Sequence, residues 1–187
     1  NLLEFGMMGS IYMEKVLGRE QPRVGLVNIG AEAAKGSTLT KAAYDLLEQS
    51  HLNFTGNVEA REVPKGACDV IVTDGFTGNV LLKLTEGLAW NILQVIKQRF
   101  TDGVKAKLGA ALLLDKIKGL KKEFDYSEYG GAPILGVRGP IVKMHGSSNA
   151  NAVKNTILKG IPYVSEHVVD KIQNSVLEIE EITLSEY

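Results

Sequence analysis

An α/β fold built on a parallel sheet is what this chain of 187 residues predicts. Two short runs, 23–29 (RVGLVNI) and 69–73 (DVIVT), are nearly all apolar, as strands buried on both faces should be. Each is followed by a glycine-containing loop and then by ten or more residues with helical spacing of apolar side chains. That alternation implies strand–helix–strand units.

The elements follow in order. Residues 1–17 read as a helix with Leu2, Phe5, Ile11, Tyr12 and Val16 as its apolar positions. Gly6, Gly9 and Ser10 are small enough to let another element come close, and Gly18 is a natural stop. After the first strand, 30–38 is a loop and 39–49 a helix; 54–58 is a short strand. After the 69–73 strand, Gly75, Gly78 and Asn79 are expected to form a turn. Residues 80–100 then carry helical spacing at Val80, Leu81, Leu84, Leu88, Ile92, Val95 and Ile96. Residues 135–144 predict a glycine-broken strand pair, or a strand and a loop. Helices are expected at 150–159 and 165–182, the latter with Val168, Ile172, Val176 and Ile179 on one face. No internal repeat or low-complexity tract interrupts this pattern.

Composition narrows the function classes. Apolar residues at 44% and charged residues at 23% suit a folded globular chain rather than a disordered one. Lys and Arg number 21 against 22 Asp and Glu, and that balance argues against a nucleic-acid partner. The one cysteine, Cys68, forbids an internal disulfide and cannot build a cysteine-rich zinc site. No apolar run approaches the length of a membrane span, and the start of the chain has no secretory leader pattern. A cytoplasmic protein is expected.

Several constellations could carry chemistry. Asn28, Gly30, Glu32 and Lys35 follow a parallel strand, where α/β folds bind ligands. Asn28 could donate or accept, Glu32 accept and Lys35 bind an anion; a plain connecting loop is the alternative. Asp74, Gly75, Gly78 and Asn79 lie between a strand and a long helix, an arrangement that presents backbone N–H groups to phosphate. Asn79 is a candidate helix cap or substrate donor, and Asp74 a site residue or a turn former. The segment is neither a Walker loop nor a Gly-x-Gly-x-x-Gly fingerprint. Lys143, His145, Gly146, Ser147 and Ser148 converge before the helix at 150, where hydroxyls and helix N-terminal amides suit an oxyanion or phosphate. The alternatives are a structural histidine and simple capping. Asn57, Glu59, Arg61 and Glu62 either position substrate or form surface ion pairs. No spacing of His, Asp or Glu makes a metal site.

Residues 97–122 hold eight basic side chains against Asp102 and Asp115, a charge of +6 that leaves −7 for the rest. Val104, Leu108, Ala111 and Leu112 form one apolar stripe; Leu113, Ile117, Leu120 and Phe124 form another. A basic amphipathic segment of this kind suits a membrane surface, a partner or a second subunit.

Taken in order, RVGLVNIGAE-x2-KG, NFTGNVEARE, CDVIVTDGFTGNVLLK-x2-EG and YGGAPILGVRGPIVKMHGSSNA resemble the bacterial phosphate acyltransferases of phospholipid synthesis, the PlsX family. The opening MGSIYMEKVLG resembles them too, so the likeness runs from about residue 1 to 182. Members of that family are nearly twice as long and carry an Asp-Ala-Met-Gly-Gly-Asp motif that does not occur here, so the chain looks like the C-terminal part of such an enzyme. The resemblance implies the three-layer α/β/α fold of the isocitrate and isopropylmalate dehydrogenases, with residues 97–124 protruding as a basic amphipathic segment. It implies transfer of a fatty acyl group from acyl carrier protein to inorganic phosphate, without a cofactor or a metal. Peripheral membrane contact through 97–124 and a homodimer are expected with it. In this reading His145, Asn79, Asp74 and Lys143 carry the chemistry. Asn28, Gly30, Glu32, Gly75, Gly78, Gly146, Ser147 and Ser148 bind substrate. A nicotinamide-dependent hydroxy-acid dehydrogenase of the same fold, and a fragment that binds membrane or partner without turnover, are the alternatives.

Overall fold

β1 (Val24–Asn28) is buried at every residue, and the fold is built around it. The computed structural model describes residues 1–113, 115–117, 119 and 130–185, with 178–185 as backbone only. β1 lies between β2 (Phe54–Glu59) and β3 (Val70–Val72), parallel to both, in the order β2–β1–β3. With neighbours on both edges and packing on both faces, every β1 side chain is removed from water, and hence the run is apolar. Val24 pairs with Phe54 but Leu26 pairs with Asn57, so β2 carries one extra residue between them. Gly56, at φ +90°, takes up that residue, a backbone conformation that glycine adopts without a Cβ clash.

α1 (Leu2–Lys15) serves two cores. One face joins Leu2 to Val24, Leu26, Val70 and Val72 of the sheet and to Ala43 and Leu47 of α2 (Thr38–Glu48). The small residues anticipated in this helix are what bring it so near: a Cβ at Gly9 would lie 2.6 Å from Val70 Cγ1. The other face, with Met8, Ile11, Tyr12 and Val16, packs on Tyr163, Val168 and Ile172. Those three belong to the last two helices, here α5 (Ala150–Ser165) and α6 (Val168–Ser185). The ring of Tyr12 meets that of Tyr163 edge-on, centroids 6.0 Å apart. A small antiparallel pair, β4 (Ala132–Ile134) and β5 (Ile141–Lys143), joins this second core through Leu135 and Val142.

Two sequence expectations change. The turn expected at Gly75–Asn79 is helix: α3 spans Gly75–Thr101, because Asp74 caps it and so starts it five residues ahead of the expected 80. α5 continues past 159 to Ser165 and tolerates Pro162 inside it. The end of α3 at Thr101 meets the expected end at 100, and within the basic segment α4 then covers Gly103–Leu112; Gly103 at φ +82° makes the break. Leu120 and Phe124, assigned to the second apolar stripe, lie outside the described residues. α3 has no buried residue along its length, and Val104, Leu108 and Leu112 of α4 are strongly exposed. Among the described residues no helix is long and apolar enough to cross a membrane.

Candidate functional site

Because the three strands are parallel, their following loops gather at one edge of the sheet. Asn28 and Asn57 stand there, each only 8% exposed. Asn28 Nδ2 donates to Asn57 Oδ1 at 3.1 Å and to the Lys35 carbonyl at 3.0 Å. The Ile29 N–H donates to Asn28 Oδ1 at 2.8 Å, and Asn57 Nδ2 donates to the Glu32 carbonyl at 2.9 Å. A buried amide without partners is costly, and these two meet that need by tying down the loop that follows β1. Asn28 is thus turned towards the loop, a placement that its position at a strand end did not reveal. Asn57 is the residue whose part in this cluster the sequence left unread: it is 29 positions from Asn28, and only the strand register brings the two together.

The loop carries Glu32 and Lys35 on its exposed side, over the buried Gly30. A Cβ at Gly30 would come within 2.8 Å of Glu32 Oε2 and 3.3 Å of Lys35 Cγ. Gly36, at φ +98°, closes the loop against Asn28, where a Cβ would lie 2.4 Å from Oδ1.

At the neighbouring strand end the Phe76 and Thr77 amides donate to Asp74 Oδ1 at 3.0 and 2.9 Å, and the Thr77 hydroxyl donates to Oδ2. The Thr77 hydroxyl and amide, with the Phe76 amide, hold the Asp74 carboxyl below its ordinary range. The amides that the sequence offered to phosphate are therefore taken by a carboxylate of the chain itself, which would repel an anion. Asn79 is not the cap; it lies one turn inside α3 and is exposed. Gly78 lets the helix sit on the strand end, since a Cβ there would meet Thr73 Cγ2 at 2.8 Å.

The third group forms a turn between β5 and α5. Lys143 ends β5 and is exposed. His145 Nδ1 lies 2.6 Å from Ser147 Oγ and accepts the Ser147 N–H at 3.2 Å; the Ser148 N–H donates to the His145 carbonyl at 3.0 Å. An Nδ1 that accepts an amide hydrogen leaves the ring proton on Nε2. Asn149 caps α5, its Oδ1 accepting from Ala152 N at 2.9 Å, so neither serine is the cap. Gly146 sits at the tip of the turn with open space around it.

Arg61 forms ion pairs with Glu59 at 3.1 Å and Glu62 at 3.5 Å, with the guanidinium largely in solvent. Among the described residues no three His, Cys, Asp or Glu side chains gather as a metal site. Cys68 is buried, and that burial pushes its thiol up, away from nucleophilic use. An apolar cavity of about 490 Å³ opens beside Asp74 and Gly75, lined by Leu2, Leu3, Phe5, Leu39 and Leu46.

The fatty acid synthesis protein family has a sequence model that matches residues 1–171. This chain belongs to that family. Its curated relatives include a phosphate acyltransferase of Brevibacillus brevis, 53% identical over 174 residues, which are 93% of this chain and 52% of that protein. Others are the phosphate acyltransferase of Alkaliphilus oremlandii, 53% identical with 94% and 52% covered, and that of Clostridioides difficile, 48% identical with 97% and 53% covered. The chain spans about half the length of these members of the family. Their shared name does not favour the nicotinamide-dehydrogenase alternative.

Proposed function

We propose that this chain is part of a phosphate acyltransferase that moves a fatty acyl group from acyl carrier protein to inorganic phosphate. The observation that carries the reading is the family match over residues 1–171, with relatives named for phosphate acyl transfer at about half identity. A phosphate oxygen attacks the thioester carbonyl, a C–O bond forms, the C–S bond breaks, and the proton lost by phosphate ends on the thiol of the carrier. Phosphate is ionised at neutral pH and a thiolate leaves readily, so the protein needs no nucleophile of its own. Its work is to hold phosphate in line and to stabilise the oxyanion.

The charge pattern supports a division of roles. Lys143, Ser147, Ser148 and the open backbone at Gly146 hold phosphate. The Nε2–H of His145 donates a hydrogen bond to the oxyanion or to the departing sulfur. Glu32, Gly30 and Asn28 form one wall at the strand ends; Asp74, Gly75, Gly78 and Asn79 form the next. The apolar cavity beside Gly75 suits the acyl chain, and the basic α3–α4 segment suits the acidic carrier protein or an anionic membrane. The same reading makes the protein cytoplasmic and peripherally membrane-bound, a homodimer through its uncovered helices, with the three-layer fold of the isocitrate and isopropylmalate dehydrogenases.

In the full-length protein, S147A, S148A and H145A are each expected to lower phosphate-dependent acyl phosphate formation about tenfold or more. Steady-state assays with acyl carrier protein thioester check this. Wild-type kinetics in all three would remove the 143–148 turn from the site, and a wild-type protein without turnover would remove the activity.

A further inference from the structure

We infer that Lys35 adds a cation for phosphate to the group proposed at 143–148, and that Asn57 is the positioning residue behind it: with Asn28 it locks the 30–36 loop that carries Lys35 and Glu32. The inference rests on the acyl-transfer reading and deepens it. The loop is held from beneath at two carbonyls, Glu32 by Asn57 and Lys35 by Asn28, and the two amides are bonded to each other. The only charged side chains of the loop are Glu32 and Lys35, and both face solvent, so neither fixes the loop by burial. The order in it comes from the amide pair and from the Lys35 N–H, which donates to the Glu32 carbonyl at 3.1 Å. The loop it holds follows β1, the central strand of the β2–β1–β3 sheet, and leaves at the carboxyl end, where parallel sheets bind ligands.

The position is sensitive to the hydrogens of the side chain. Leucine at 57 keeps the volume but loses both bonds. Aspartate keeps the acceptor towards Asn28 but sets an oxygen against the Glu32 carbonyl. Either change frees one end of the loop, and a misplacement of about an ångström at a reacting group costs up to about 100-fold.

The test compares wild type, N57L and N57D in the full-length protein, with thermal melts to establish folding. Two readings are taken: KM and kcat against inorganic phosphate in acyl transfer, and hydrogen exchange at the amides of residues 30–36. Both variants are expected to raise the KM for phosphate about tenfold or more with a smaller change in kcat, and to speed exchange in 30–36 while β1 stays protected. A folded variant with wild-type phosphate KM overturns the inference. If N57L does not fold, N57D decides it by the same criterion. If wild type shows no phosphate-dependent turnover, the acyl-transfer reading fails by itself. The exchange data then decide the loop, and unchanged protection at 30–36 overturns its locking by Asn57.

Discussion

Arg23 and Asp69 show how one pair secures the amino ends of the strands. The Arg23 backbone N–H and Nε donate to Asp69 Oδ2 at 2.9 and 3.0 Å, and the guanidinium also reaches the carbonyls of Ala67 and Gly66. The side-chain bond from Arg23, then its backbone N–H, hold the Asp69 carboxyl below its ordinary range. A carboxyl whose native pKa is depressed adds stability that is present above the unfolded value, about 3.9, and is lost as the pH falls through the native value. D69N is therefore expected to melt lower than wild type at pH 7, with the difference shrinking below about pH 4. Thermal melts from neutral to acid pH check this, and a difference independent of pH would show that the charge is not the cause. The candidate residues were legible at this scale as types: Asp74, His145 and Ser147 are polar groups at element ends. Their partners were not legible, because a capping carboxylate and a ligand-binding one are the same residue until the amides they meet are known.

Glycines in helices separate two physical situations that the sequence alone does not distinguish. Gly9 of α1 is pressed on Val70, and G9A would force a methyl into a space of 2.6 Å, a destabilisation of about 1–3 kcal/mol. Gly87, near the middle of α3, has nothing within 4 Å of an added Cβ. There alanine gains helix propensity, so G87A is expected to stabilise by about 0.5–1 kcal/mol. Urea unfolding of the two variants reads the sign of each, and the same sign in both would contradict the packing of α1 on β3. The strands were the most legible elements: β1 and β3 fall inside the two apolar runs. The start of α3 was misplaced because Gly75 and Gly78 favour a turn by themselves, and the two amide hydrogen bonds that Asp74 Oδ1 accepts outweigh that preference.

The whole molecule is asymmetric in what it covers. The sheet, α1, α2, α5 and α6 bury two cores, whereas α3 and α4 present apolar and basic side chains outward. If α4 meets an anionic membrane in the way proposed, L108E and L112E are expected to weaken binding to phosphatidylglycerol vesicles about tenfold or more, each loss coming from buried apolar area and like charge. Trp90, the one tryptophan of the chain, lies exposed on α3 and offers a fluorescence signal for the titration. High salt should weaken the wild-type contact through its lysines. Vesicle binding unchanged in both variants would assign the exposed stripe to another partner. The fold class, the order of the strands along the chain and the family were set by the sequence by itself. Apolar period, chain punctuation and ordered motifs are local properties that need no neighbour. The tertiary structure alone decided that α1 serves two cores, that Asn57 meets Asn28, and that the amides at the start of α3 are already taken. Each of these depends on groups far apart in the chain, or on competing bonds, and only the packed register of the sheet settles which group meets which.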